Sequence, residues 1–469
     1  MPELIATSRA AREARDSMSP ADAPGCRTDA TRQTVKGNDP KSIIDHGAMS
    51  MGQWLAVLVT VGLNAMDGFD VLSISFASPG IAKDWGVDKA TLGWILSTEL
   101  VGMGLGSVLL GGVADKIGRR PTILGCLLAM TVGMFGASLA EAVPTLLIWR
   151  LLTGLGIGGM LASISAAAAE LSSQRWRSLA MSLMVIGYPL GGVIGGMVVQ
   201  HLLARGTWHE VFIFGGWVTA AFIPLAWLLV PESVAFLDRR RRPGALEAIN
   251  RILTRFGHES MLALTPDTVE SAQRSVMDIF KPGLIVATVL ITFGYFAHVT
   301  SFYFIIKWVP KLIVDMGFPP KAAAGVLTWA NVGGATGVVV FGLIATRVGL
   351  RALTILALVG SSAMVVWFGR GPPGLAALSS TVAAAGLFIN AGIGGYYLLF
   401  AKVFPTHVRA TGAGFAIGAG RGGAVLAPVI AGYLFQAGFG LQAVATMMAS
   451  GSLLSAVALL ALKVRATER

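Results

Sequence analysis

Two aspartates, Asp67 and Asp70, stand three positions apart in AMDGFDVLSIS (65–75), within an apolar run from about Met51 to Ile81. Such a run can cross a bilayer, which takes about 20 residues per helix. An ionised carboxylate near the bilayer centre costs about 2.5–3.5 kcal/mol on insertion scales, so acids placed there serve function by default. Residues i and i+3 share one helix face. Two carboxylates that close can share a proton and exchange it as their surroundings change. The plainer alternative is that one of them only ties its helix to a neighbour.

Further polar residues lie inside apolar runs. Glu99, in WILSTELVGMGLG, either joins a proton path or bonds a neighbouring helix. Arg150 opens RLLTGLGIGG and keeps its charge under ordinary conditions. Facing inward it holds a carboxylate ionised; at the interface it snorkels to the headgroups. Arg421, in AIGAGRGGAV, lies deeper in its run. Its guanidinium offers two parallel donors that match a carboxylate, and the flanking glycines leave room for a planar ligand. Arg421 is therefore the candidate anion-binding group. His298 in GYFAHVTSFYF titrates, bonds a ligand hydroxyl, or is a satisfied core histidine. Tyr295 and Tyr396 could line a pocket for a ring, and Asn331 and Asn390 could supply hydrogen bonds.

The elements that carry these residues follow from composition. Of 469 residues 54% are apolar and 13% charged, against about 25% charged in a soluble domain. With 59 glycines, which let membrane helices approach closely, the chain reads as an all-α integral membrane protein. Twelve apolar segments are expected, near 51–81, 91–113, 121–140, 144–169, 178–203, 210–231, 282–308, 322–345, 352–369, 376–401, 409–436 and 441–462. Residues 1–48 are polar without an apolar signal core and read as a disordered tail. Placing the N-terminus inside puts 27 of the 36 Lys and Arg on the cytoplasmic side. Seven fall opposite: Lys83, Lys89, Arg205, Lys307, Lys311, Lys321 and Arg370. This bias puts both termini in the cytoplasm of an inner-membrane protein. The net charge of +11 is then an insertion signal and does not call for nucleic acid. Cys26 and Cys126 have no metal-ligand spacing, and neither GxxxxGK[ST] nor HExxH occurs. No metal, ATP or other cofactor is expected.

The chain is written twice. GGVADKIGRR (111–120) matches GLIATRVGLR (342–351), so that Gly111, Asp115, Lys116, Gly118 and Arg120 fall on Gly342, Thr346, Arg347, Gly349 and Arg351. ELSSQRWR (170–177) matches KVFPTHVR (402–409) in the same register to within one residue. Two six-helix bundles, 49–231 and 282–463, joined by a polar loop 232–281 and followed by a tail 464–469, are expected. Parallel repeats of this kind place a transporter's substrate site near the midplane between the halves.

GGVADKIGRR resembles the loop motif GxxxDRxGRR of the major facilitator superfamily. RLLTGLGIGG resembles that superfamily's span-4 motif, and PESVAFL (231–237) is similar to its PESPRWL-type end of span 6. DGFD resembles the aromatic acid:proton symporters within it, and PTHVRATGAGFAIGAGRGGAVLAP (405–428) resembles the span-11 signature that those symporters share with the organic-anion carriers. The resemblance implies proton-coupled uptake of a benzoate- or hydroxybenzoate-type carboxylate by alternating access. Asp67, Asp70, Glu99 and Arg150 would handle the proton; Arg421, His298, Tyr295, Asn331, Asn390 and Tyr396 would meet the substrate. Gly111, Asp115, Lys116, Gly118, Arg119 and Arg120 would form a latch at the inner mouth, with Glu170 and Arg177 as a companion ion pair and Arg347, Arg351 and Arg409 as second-half counterparts. A monomer suffices for this cycle. A sugar or polyol carrier, another organic-anion carrier and a drug exporter remain alternatives.

Overall fold

A computed structural model describes residues 39–241, 243–264, 276–405 and 408–462. Most of the tail 1–48, part of the 232–281 loop and the tail 464–469 therefore lie outside the described residues. Among the described residues helix α1 (Pro40–His46) comes first. Six long helices follow: α2 (Met51–Trp85), α3 (Lys89–Ile117), α4 (Arg119–Ser138), α5 (Val143–Leu171), α6 (Arg177–Arg205) and α7 (His209–Leu229). Two short helices, α8 (Val234–Arg240) and α9 (Ala245–Arg255), lead to the second set. That set is α10 (Ile285–Asp315), α11 (Pro320–Ala345), α12 (Leu350–Gly369), α13 (Leu375–Val403), α14 (Arg409–Gln436) and α15 (Leu441–Ala461). Among the described residues twelve helices are long and apolar enough to span a bilayer. Their outward faces carry exposed Leu58, Trp217, Leu343 and Val457, as a lipid-facing surface requires.

The internal repeat in sequence is a repeat in packing. Helix α2 packs on α6 as α10 packs on α14, α3 on α5 as α11 on α13, and α4 on α7 as α12 on α15. The halves meet through α3 on α14, α6 on α11 and α2 on α10. These contacts concentrate at the end of the bundle away from the termini. There Lys89 donates its backbone N–H to Gln436 Oε1 at 3.3 Å, Ser97 Oγ donates to the Val425 carbonyl at 2.8 Å, and Gln200 Nε2 to Thr328 Oγ1 at 3.4 Å. Nearer the termini, Gly111 and Gly112 on α3 and Gly414 and Gly418 on α14 have nothing within 4 Å of an added Cβ. The molecule is closed at the far end and parted at the termini end.

Two stretches expected to be irregular contain helices. Asp39 caps α1, accepting from the Lys41 N–H at 3.0 Å, with Pro40 at the first helical position, where a proline is preorganised for the turn. Its Ile44 is buried with Val234, Ile249, Leu253 and Met261 of the segment that joins the halves. On α9, Ala245, Ile249 and Leu253 recur every four residues and are buried, which is the stripe an amphipathic helix presents.

Candidate functional site

The glycines of RLLTGLGIGG bring α5 against α3. A Cβ at Gly154 would lie 2.0 Å from the Glu99 carbonyl oxygen, and one at Gly158 would lie 2.2 Å from that of Met103. Arg150, Gly154 and Gly158 recur every fourth residue, so they lie along one face. Backbone contact at Gly154 therefore sets Arg150, one turn away, beside Glu99. The two side chains form an ion pair, both fully buried. Arg150 also donates Nη2 to the Asp70 carbonyl oxygen at 3.0 Å and Nη1 to Met134 Sδ at 3.2 Å. It stands two turns inside α5 and is no headgroup residue.

Asp67 and Asp70 are buried on α2, at 2% and 0% exposure, and each lies within electrostatic reach of Glu99. Among the described residues none of their four carboxylate oxygens accepts a hydrogen bond. The hydroxyl of Thr219, close to Asp70, donates instead to the Gly215 carbonyl at 2.8 Å. The four residues singled out for proton handling thus converge. They form a buried group in which Glu99 pairs with Arg150 and both aspartates lie within electrostatic reach of Glu99.

A fifth member escaped the sequence reading. Lys307, counted there with the loops opposite the termini, is fully buried. Its Nζ donates to the Val71 carbonyl and lies 3.6 Å from Glu99 Oε2. The seventh apolar run was expected to end near 308, but α10 continues through Pro310 to Asp315, which draws Lys307 into the interior.

Arg421 is half-buried and donates Nη1 to the Met103 carbonyl at 2.6 Å. Of the side-chain bonds joining α3 and α14, it is the one nearest the open end. Its charge acts on Tyr295 and Tyr303. Tyr295 is itself packed with Tyr396 and Phe400, ring centroids 5.4 and 5.5 Å apart. The guanidinium thus lies beside a bank of tyrosines where the halves begin to part.

The other substrate-facing candidates divide. His298 is fully buried; Nδ1 pairs with Ser452 Oγ at 2.9 Å and Nε2 with the Ile389 carbonyl at 3.0 Å. Both nitrogens are thus occupied within the second half, which makes it the satisfied core histidine and takes it out of the ligand set in this state. Tyr396 is likewise occupied, its hydroxyl 2.6 Å from Ser455 Oγ. Asn331 and Asn390 line a cavity with Tyr188, Phe302 and Ile306 that has about 20 Å³ of room, enough for about one water and too small for a ring. Each bonds its own helix through Nδ2, to Leu327 and Gly386 carbonyls, both at 2.9 Å.

The latch residues sit at the termini end, where among the described residues they form no ion pair between the halves. Asp115, its side chain 62% exposed, pairs with Arg119 at 2.9 Å. Lys116 is exposed near it, and Gly111 lies on the face that has parted. Gly118 starts α4, whose Arg119 N–H donates to Glu232 Oε1 at 2.7 Å; Arg120 bonds the Trp227 carbonyl. Arg347 is exposed, Arg351 donates Nε to the Leu459 carbonyl at 2.7 Å, and Arg409 donates Nε to the Phe404 carbonyl at 3.4 Å. The expected Glu170–Arg177 pair is corrected. Arg177 turns back on the end of α5, donating to the Ala169 carbonyl at 2.9 Å and the Ser172 carbonyl at 3.2 Å, and its ion partner is Asp45 of α1. Glu170 Oε2 is buried without a hydrogen bond among the described residues. The carbonyls that end α5 lack intrahelical donors, and α1 supplies a carboxylate on the other side of the guanidinium.

Residues 58–416 match the family model for the Major Facilitator Superfamily. The chain is 29% identical over 439 residues to a gallate transporter of Pseudomonas putida, covering 90% of this chain and 94% of that one. It is 30% identical over 421 residues to the 3-(3-hydroxy-phenyl)propionate transporter of Escherichia coli, covering 87% and 94%. The solved structure of the xylose transporter XylE from E. coli in a partially occluded inward open conformation superposes with a TM-score of 0.69 at 16% identity, covering 90% of this chain and 100% of that one.

Proposed function

Since the chain belongs to the Major Facilitator Superfamily and is a transporter, we propose that it is a proton-coupled carrier that takes up an aromatic carboxylate by alternating access. The names of its relatives, which carry gallate and hydroxyphenylpropionate, support the substrate class. One observation supports the coupling: three buried carboxylates, Asp67, Asp70 and Glu99, lie within electrostatic reach of one another, with Arg150 paired to Glu99 and no hydrogen bond to the aspartate carboxylates among the described residues. Buried acids within membrane spans are costly and mark ion and proton paths.

The positive-inside bias places the termini end in the cytoplasmic half of the inner membrane, so the structure is the inward-facing state. In this reading the substrate carboxylate meets Arg421 and its ring lies among Tyr295 and Tyr303. Asp115 engages the second half only when the inner mouth closes. The carrier works as a monomer and needs no cofactor beyond the proton gradient.

The test is uptake of labelled aromatic acids and of a labelled hexose by cells expressing the chain, with and without a protonophore. Aromatic acids are expected to accumulate, the hexose not, and the protonophore to abolish accumulation. Asp67→Asn and Asp70→Asn should stay in the membrane and lose accumulation. Accumulation of the hexose alone would overturn the substrate class, and protonophore-insensitive accumulation would overturn the coupling.

A further inference from the structure

Lys307 belongs to the second half, yet both groups that hold its ammonium belong to the first: the Val71 carbonyl on α2 and Glu99 on α3. The next residue ties α10 to its own half, because the buried Trp308 donates Nε1 to the Pro428 carbonyl of α14 at 3.1 Å. Arg150, the other cation on Glu99, sits on α5 in the same half as the acid. When the halves rock apart at the far end, as alternating access requires, α10 moves with α14 and carries the ammonium off Glu99. Arg150 stays.

We propose that Lys307 is the coupling residue of the carrier, an ammonium that alternates with the transported proton on the carboxylates Asp67, Asp70 and Glu99. The proposal rests on the proton-coupled reading above. With the far end closed, two cations face three carboxylates, and one proton balances the buried charge. With the far end open, Arg150 alone remains and two protons are needed. The far-end-open state thus binds one more proton, taken from the side to which it is open. Return of Lys307 displaces that proton while the opposite mouth is parted.

Several titratable and charged groups stand around this exchange. They are Asp67 and Asp70 on α2, Glu99 on α3, Cys126 on α4, Arg150 on α5, Tyr188 on α6, Tyr303 on α10, Tyr397 on α13 and Arg421 on α14. Of the cations among them, Arg150 moves with the carboxylates. Arg421 is held by the Met103 carbonyl at 2.6 Å, on the open side of the group. Among the described residues only Lys307 combines burial against Glu99 with residence in the opposite half.

A proton biases a conformational equilibrium only through its differential affinity for the two states. The measurement is therefore the far-end distance as a function of pH. Spin labels at R205C and K321C, on the far ends of α6 and α11, report it in a chain whose Cys26 and Cys126 are replaced, purified and without substrate. Acidification is expected to move the population toward the longer distance, by up to about tenfold per pH unit for a one-proton difference. Lys307→Met should make the ratio independent of pH, and Lys307→Arg should retain the shift, because the charge and not its loss is required. Glu99→Gln with Lys307→Met removes cation and carboxylate together, so it tests the same flat response if the single variant does not fold.

A wild-type shift preserved in Lys307→Met or in the double variant would overturn the proposal, as would no shift in the wild type or one in which acid closes the far end. Because no substrate is present, a pH shift that depends on Lys307 stands even if aromatic acids prove not to be carried.

Discussion

Gly154→Ala tests whether the glycine spacing after Arg150 positions the ion pair or merely loosens the helix. The added Cβ would start 2.0 Å from the Glu99 carbonyl oxygen, a backbone atom that cannot swing away. Reaching the 3.0–3.4 Å of a tight but real contact requires α3 and α5 to part locally by about 1.0–1.4 Å. Overpacking of this kind costs about 1–3 kcal/mol, offset in part by the up to about 1 kcal/mol that alanine gains over glycine in a helix. The same displacement lengthens the Arg150–Glu99 contact one turn away. Transport is therefore expected to fall at least tenfold, while the protein remains folded with a midpoint lowered by a few degrees. Gly104→Ala on α3 is the control, since a Cβ there has nothing within 4 Å; it should be as stable and as active as wild type. Thermal unfolding in detergent and initial uptake rates, measured side by side, decide the matter. If Gly154→Ala matches Gly104→Ala in both, the close approach of α5 to Glu99 does not position Arg150.

Arg421→Lys should keep the charge but lose the two-pronged donor, binding benzoate-type ligands weakly, and Arg421→Ala should lose nearly all binding; calorimetry on purified protein that finds wild-type affinity in the Ala variant would transfer the anion-binding role to another cation. His258 abuts Gly47, with Cε1 2.4 Å from an added Cβ there, and burial depresses its protonation below the ordinary 6.5. The folded clasp of α1 and α9 then binds fewer protons than its undocked form, so its stability is complete above pH 6.5 and declines as pH falls through and below it. Protection of the amides of residues 40–47, taken relative to the intrinsic exchange rate at each pH, should fall between pH 7.5 and 5.5, and His258→Gln should flatten that dependence; an equal dependence in the variant would assign it to other groups.

The spanning helices were legible because each is a long apolar run, and their pairing followed from the repeated loop motifs. Asp67, Asp70, Glu99 and Arg150 were legible one by one, as charges where charge is costly. The sequence did not reveal their meeting, since the contact that brings Arg150 to Glu99 is made by glycine backbones from two helices. Gly68, between the aspartates, tells the same story: a Cβ there would sit 2.1 Å from the Tyr188 carbonyl oxygen, so the central letter of DGFD is a packing requirement of α2 against α6. His298 shows where internal symmetry misleads. It occupies the place of Asp67 in the other half, but Ser452 and the Ile389 carbonyl satisfy it locally. The Arg177–Asp45 pair spans 132 positions, and no local pattern announces such a partner.

Lys307 is the most instructive miss. Position along a hydropathy profile assigned it to the surface, since a lysine near the end of an apolar run ordinarily snorkels. The signal that it does not was the charge balance of the other half. Asp67, Asp70 and Glu99 outnumber Arg150, and buried like charges in excess require either protons or a cation from elsewhere. The structure supplies that cation from across the interface, on a helix tied to the opposite half through Trp308. A charge deficit in one half answered by a cation in the other is unexpected if each half were built only for its own stability. It follows directly if the deficit is meant to be filled by different partners in different conformations, which is what converts a rocking motion into movement of a proton.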